Sequence, residues 1–193
     1  MAPVAKESNA EIENYVRMAS YDRVLVWPTG RLSRRLYEDR FLFADNSFLS
    51  VFDFSLLKGD PKTALNRPFT MLVTPKMARK YFGNENPVGK KLSYRTTSNF
   101  YTVSDEAEKS AEYVFEITGI LDDAPSNSSI DYQFVASFNS LSVIDKNNFA
   151  WKEAGLGNYK AYFLVSSADK VEKIRTYLSK AIKAPLPEAK NII

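Results

Sequence analysis

Residues 71–92 read MLVTPKMARKYFGNENPVGKKL, and the rest of the chain is ordered around this stretch. The run from Phe69 to Val73 is apolar and reads as a strand. Thr74 can cap a helix, with Pro75 at the first helical position, where a missing N–H costs nothing. Met77, Ala78, Tyr81 and Phe82 recur at helical spacing and make one apolar face, while Lys76, Arg79 and Lys80 point to water. Gly83 ends the helix because it adopts the left-handed conformation without steric cost. Asn84, Asn86, Pro87 and Gly89 form a turn, and Lys90-Lys91-Leu92 opens a new strand.

The glycines and lysines of this stretch do not make a phosphate-binding loop. Five residues separate Gly83 from Gly89 where that loop has four, and Lys91 stands where Ser or Thr would hold magnesium. The context is also reversed, since a phosphate loop leads from strand into helix.

The chain has 193 residues, enough for one large domain or two small lobes. Its 45% hydrophobic and 25% charged residues are those of a globular fold with a core, and 13 Phe and 11 Tyr make it rich in aromatics. The net charge of +3 does not by itself imply nucleic acid. No apolar run approaches the roughly 20 residues that cross a bilayer, and the polar start MAPVAKESNAEIENY is not a signal peptide. With no Cys and no His, the sequence excludes Cys/His zinc sites, Ser-His-Asp and Cys-His nucleophile systems, and haem ligation by these residues.

Residues 1–8 read as a flexible entry. Ile12, Tyr15, Val16 and Ala19 fit a short amphipathic helix over Ala10 to Ala19. Val24, Val26 and Trp27 fit a strand ending at Pro28 and the turn Thr29-Gly30. Arg31, Arg34, Arg35 and Arg40 form a local basic cluster, which is either a site for an anionic partner or a solvated face offset by Glu38 and Asp39. Arg40 to Ala44 reads as a strand, and Asp45 or Asn46 as the cap of a short helix through Phe52. Lys58 to Pro61 turns the chain, and Lys62 to Leu65 fits one more helical turn.

Ser93 to Val103 reads as a hairpin with Thr97-Ser98-Asn99 at its tip, and Ser104 to Ser110 as a charged loop. Tyr113 to Ile120 alternates as a strand, and Asp122 to Ser128 is a turn cluster whose acids bond their own backbone. Ile130, Tyr132, Phe134, Ala136 and Phe138 alternate with Asp131, Gln133, Val135 and Ser137 and fit a half-buried strand. Ser140 to Gly157 is irregular, Tyr159 to Ser166 a strand. Ser166 or Ser167 then caps a helix with Asp169 in its first turn. Its buried stripe is Val171, Ile174, Leu178 and Ile182, with Lys170, Lys173, Lys180 and Lys183 toward water and Pro185-Leu186-Pro187 ending it. Strands outnumber helices without strict alternation, so the fold class is α+β, with mixed or antiparallel sheets and a few short helices.

Several segments together carry a resemblance. The order Phe52-Asp53-Phe54, Leu56-Leu57-Lys58-Gly59-Asp60, Val73-Thr74, Ala78-Arg79-Lys80-Tyr81-Phe82-Gly83, Asn86-Pro87-Val88-Gly89-Lys90 and Phe115-Glu116-Ile117-Thr118-Gly119-Ile120-Leu121 resembles the MacB-like periplasmic core domain. That family supplies the extracytoplasmic domain of ABC-transporter permeases, including the MacB exporter and FtsX-like proteins, and the resemblance runs from about Arg40 to Phe138. It implies two lobes, one of residues 9–45 plus 130–184 and one of 46–129, with crossings near Asp45 and Ile130. It implies a periplasmic domain of a bacterial inner-membrane protein, set between two membrane helices, with its targeting information outside this segment. The implied partners are its own transmembrane helices, a cytoplasmic ABC ATPase, a second permease copy, and a periplasmic adaptor or a cargo such as a peptide, drug or lipoprotein.

On this reading the domain is not an enzyme. It has no catalytic, metal or cofactor residues and no nucleic-acid partner. The competing readings are an autonomous module for peptide, glycan or lipid, using aromatics such as Trp27, Tyr101, Trp151 or Tyr159, and a hydrolase using Glu11, Glu13, Asp22, Asp122 or Asp123. Core packing is the simpler role for any one of those aromatics. Carboxylate chemistry further requires two acids opposed across a cleft.

Overall fold

The computed structural model describes residues 2–96, 111–145 and 159–183. The expected hairpin tip at 97–99, the loop at 104–110, most of the irregular 140–157 segment with Trp151, Tyr101 and the Pro185–Pro187 tail lie outside the described residues.

In chain order the elements are α1 (Ala2–Ser8), β1 (Ile12–Tyr21), β2 (Val24–Pro28), β3 (Leu36–Glu38), β4 (Phe41–Ala44), α2 (Phe48–Val51), β5 (Leu56–Lys58) and β6 (Thr70–Val73). Then follow α3 (Pro75–Phe82), β7 (Lys91–Arg95), β8 (Tyr113–Leu121), β9 (Phe134–Ser137), α4 (Leu141–Ile144), β10 (Tyr159–Val165) and α5 (Val171–Lys183). All ten strands join one mixed sheet in the order β10-β1-β4-β9-β6-β8-β7-β2-β3, with β5 paired to β8 off that path. The β4–β9 and β6–β8 pairs are parallel and the others antiparallel. This is the expected α+β class. Strands on both sides of the expected crossings at Asp45 and Ile130 lie in this one sheet.

The middle strands are covered on both faces. Every residue of β4, β6 and β9 is buried. Alternate side chains therefore feed two cores: Phe41, Phe43, Met71, Val73, Phe134 and Ala136 on one face, Leu42, Ala44, Leu72 and Val135 on the other. The first core is aromatic. Phe41 lies 4.8 Å from Tyr94, 5.4 Å from Phe134 and 6.2 Å from Phe115, ring centre to ring centre. Edge-to-face and offset pairs of this kind add about 0.5–1.5 kcal/mol each beyond the area they bury.

Residues 71–92 fold as their spacing indicates. The Thr74 hydroxyl accepts from the Met77 N–H, Pro75 opens α3, and Met77, Ala78 and Tyr81 are buried. Gly83 closes the helix at φ 63°, its N–H donating to the Arg79 carbonyl. The preceding strand begins one residue later than expected, because Phe69 has φ 58°, a conformation rare for so large a residue. Its N–H donates to Ser140 Oγ at 2.9 Å, and its ring stacks on Tyr113.

Five expectations are corrected. Residues 2–8 form a helix, with Ala2 and Ala5 buried. Residues 12–21 form a strand instead of a helix, since β1 sits between β10 and β4 and sheet pairing on both sides outweighs the helical spacing of Ile12, Tyr15, Val16 and Ala19. Asp45 does not cap α2 with its side chain: Ser47 holds the cap position, and the Asp45 carboxylate is taken by Arg17. The alternating run 130–138 is a strand only over Phe134–Ser137, because Ile130 and Tyr132 point into one core and Phe134 into the other. In α5, Ile174 is buried as expected, whereas Val171 is 38% exposed.

Candidate functional site

Two places in the sheet stand apart from ordinary core. The first is a joint at the β10–β1 edge. Ala5 of α1, Ile12 at the start of β1 and Ile174 of α5 form a buried cluster, with Phe163, Val165, Tyr177 and Leu178 packed around it. Over it, the Glu11 carboxylate receives Lys170 Nζ at 2.6 Å and Lys173 Nζ at 2.9 Å. These hydrogen bonds hold the Glu11 carboxyl below the ordinary carboxylate range, and Glu11 in turn raises Lys170. Lys173 and Lys180 are exposed as expected, and Lys170 and Lys173 at the same time clamp the start of α5 to the start of β1.

The second place lies at the opposite end of the sheet, where a cleft of about 620 Å³ opens between two loops. One wall follows β2: Pro28 ends the strand, Gly30 turns at φ 83°, and a single 3-10 turn over Leu32–Arg34 leads into β3. The other wall is the end of α3 and the loop to β7, which turns at Gly89 with φ 86° and donates the Gly89 N–H to Ile117 O at 2.8 Å. The Thr29 N–H donates to Lys91 O at 3.2 Å and ties the walls together. Arg31, Arg34, Lys90 and Lys91 line this cleft beside Tyr81 and Phe82, and Glu85 is the one acid on it. Glu85 pairs with Lys90, which lowers its carboxyl, and the Arg31 charge lowers it further.

Behind the cleft, Glu38 of β3 is buried beneath α3. It accepts from Tyr81 Oη and pairs with Lys80 Nζ at 2.6 Å. Burial, then the hydrogen bond to Glu38, pushes the Tyr81 phenol far up.

The four-arginine cluster is divided by the fold. Arg31 and Arg34 line the cleft, Arg35 lies 4.8 Å from the centre of the Trp27 ring, and Arg40 pairs with Asp131 at 3.1 Å. Lys90 and Lys91, which complete the basic lining, read in the sequence only as the start of a strand. Trp27 is fully buried and Tyr159 lies in β10. The candidate acids do not converge. Glu11 meets α5, Asp22 accepts the Arg40 N–H, and Asp122 accepts the Asp123 N–H within its own turn. Among the described residues no group of three or more Asp or Glu could hold a metal, and no helix is long and apolar enough to cross a membrane.

Residues 3–181 match the family model of the MacB-like periplasmic core domain. Among solved structures, a domain assigned to a permease protein of Porphyromonas gingivalis is similar at TM-score 0.65 and 21% identity, over 94% of this chain and 68% of that one. The periplasmic region of MacB from Actinobacillus actinomycetemcomitans is similar at TM-score 0.59 and 13% identity, over 94% of this chain and 72% of that one. The extracellular domain of the ABC-type transporter YknZ from Gram-positive bacteria is similar at TM-score 0.55 and 14% identity, over 90% and 75%. At these identities the likeness is one of fold. No curated protein matches the chain.

Proposed function

Because the chain belongs to the MacB-like periplasmic core domains, the extracytoplasmic domains of bacterial ABC-transporter permeases, we propose that it transmits movement. ATP hydrolysed by a cytoplasmic ATPase unit displaces the membrane helices of the permease, and this domain carries that displacement to a substrate outside the inner membrane. It works beside a second permease copy and catalyses nothing itself.

The joint between α1 and α5 is the observation that carries this reading. α1 and α5 share one apolar cluster at the same sheet edge, and the Glu11 carboxylate, in the link from α1 to β1, holds the start of α5 through Lys170 and Lys173. A displacement applied to either helix is therefore applied to that edge. Eight inter-strand steps lead from there to β3, a span of up to about 38 Å at ~4.8 Å a step. The central strands β4, β9 and β6 are packed on both faces, and a close-packed body of this kind turns as a unit more readily than it deforms.

Undocking α5 tests the proposal. In the full-length permease, Glu11→Lys together with Ile174→Asp removes both holds on α5. The expected result is loss of complementation of a deletion strain, with ATP hydrolysis by the purified transporter retained. Circular dichroism of the 193-residue chain with the same changes checks that the sheet persists. Full complementation with α5 undocked would overturn the reading.

A further inference from the structure

We propose that the β3 edge and the basic cleft beside it form a docking site for an acidic, extended segment of another extracytoplasmic protein, which adds to the sheet as a further strand. β3 pairs with β2 and ends the sheet, so the outer backbone groups of Leu36–Glu38 face no strand among the described residues. Arginines flank this edge, and the Arg23 guanidinium lies 5.3 Å from the centre of the Tyr37 ring, yet the exposed side chains of β3 itself are apolar. Leu32, Leu36 and Tyr37 are 59%, 42% and 60% exposed, and these three belong to the nine large apolar residues exposed among the described residues. A third of those residues thus fall within six consecutive positions.

The charge around the edge chooses the occupant. Arg31 and Arg34 stand next to it in the chain, and Lys90 and Lys91 face them across the cleft. The acids nearby are already engaged: Glu38 by Lys80 and Tyr81, Glu85 by Lys90, and Asp39 by the Arg23 N–H. Arg34 and Lys91 have no ion-pair partner among the described residues. Such a field favours carboxylates and repels a second copy of the same edge, which would set arginine against arginine. The transmission reading adds one further point, on which this proposal rests: the cleft lies at the end of the sheet away from the α1–α5 joint, out of reach of lipid.

The test titrates the 193-residue chain with a short fluorescent peptide in which Glu alternates with Val and Thr. Its comparators are the same peptide with Pro at alternate positions, a Lys-for-Glu peptide, and phosphatidylglycerol vesicles. The acidic peptide is expected to bind with an affinity that falls as salt is added, and to slow amide hydrogen exchange at residues 36–38. The proline peptide keeps the charge but cannot complete a ladder, and its affinity is expected to be lower by about tenfold or more. A similar loss is expected for the Arg31→Glu, Arg34→Glu variant, provided its melting temperature is unchanged.

Equal binding of the proline peptide, absence of protection at 36–38, or capture of vesicles in place of the peptide would each overturn the proposal. Because binding is read on the soluble chain, its failure leaves the transmission reading standing. Failure of the complementation test leaves the binding result standing, and the vesicle arm decides the lipid question by itself.

Discussion

Gly59 and Gly119 meet back to back where β5 joins β8, and neither has room for a side chain. A Cβ on Gly59 would sit 2.6 Å from the Thr118 carbonyl oxygen, and one on Gly119 would sit 2.4 Å from the Lys58 carbonyl oxygen. Two separate segments of the family pattern, Leu56–Asp60 and Phe115–Leu121, thus need glycine for one and the same contact.

Gly119→Ala forces backbone against backbone and is expected to cost about 2–3 kcal/mol, in the upper part of the overpacking range. Gly59→Ala adds a positive φ of 112° to the same clash and is expected to cost at least as much. Gly30→Ala is the control. Its φ is 83° but its surroundings are open, so about 1 kcal/mol is expected. Urea denaturation ranks the three; parity among them would refute the close-approach account.

Arg17 and Asp45 form a two-pronged pair, Nε to Oδ2 and Nη2 to Oδ1 at 2.9 Å each, with both side chains about one-tenth exposed. The Arg17 N–H also donates to Asp45 Oδ2 at 2.8 Å, and the guanidinium covers the Phe138 ring at 4.4 Å. Removing one partner strands a buried charge. Asp45→Ala is expected to cost about 3 kcal/mol. Arg17→Met with Asp45→Asn is expected to cost less than the sum of the single changes, which a double-mutant cycle by chemical denaturation measures.

The Glu11 clamp is pH-dependent, and its two sides set a window. The folded Glu11 carboxyl is lowered, so its contribution is present above the unfolded value of roughly 4.3 and lost as pH falls through the folded one. Lys170 is raised, so its contribution holds below the unfolded value of roughly 10.4 and is lost as pH rises through the folded one. Amide exchange in α5 is expected to accelerate as the pH drops below about 4, relative to the intrinsic rate at each pH. In Glu11→Gln this acid acceleration should vanish.

Three phenols are pushed well above their ordinary range, chiefly by burial: Tyr81, Tyr94 and Tyr132. A group whose folded pKa is raised contributes stability that is fully present below its unfolded pKa and is lost as pH rises from there through the folded one. Stability is therefore expected to decline as pH rises past about 10. An ultraviolet titration should show these tyrosines ionising only together with unfolding, and Tyr81→Phe should ease the alkaline loss. Smooth early ionisation of every tyrosine would contradict the burial.

The helix at Pro75–Phe82 was legible because its signals are local: a cap, a proline, an apolar face and a stop, all within ten residues. β8 was legible because its burial follows its alternation. β1 was not, because a strand covered on both faces loses its period-two signature, and the apolar residues left at 12, 15, 16 and 19 then match a helix. The site followed the same rule. Arg31 and Arg34 were visible as a cluster in sequence, but Lys90 and Lys91 join them only through the pairing of β2 with β7. Likewise the buried role of Glu38 depends on α3, 37 to 44 residues further along.

The central place of β9 has a consequence for how the protein is made. A chain that emerges from its N-terminus has synthesised β4 and β6 long before residues 134–137, the strand that lies between them. Until that late segment arrives, two of the most greasy ribbons in the molecule are left with open flanks. Loop closure over so long a separation is slow, and half-built sheets with bare flanks are prone to clump. A chain kept extended until residues 134–137 have emerged would avoid that hazard.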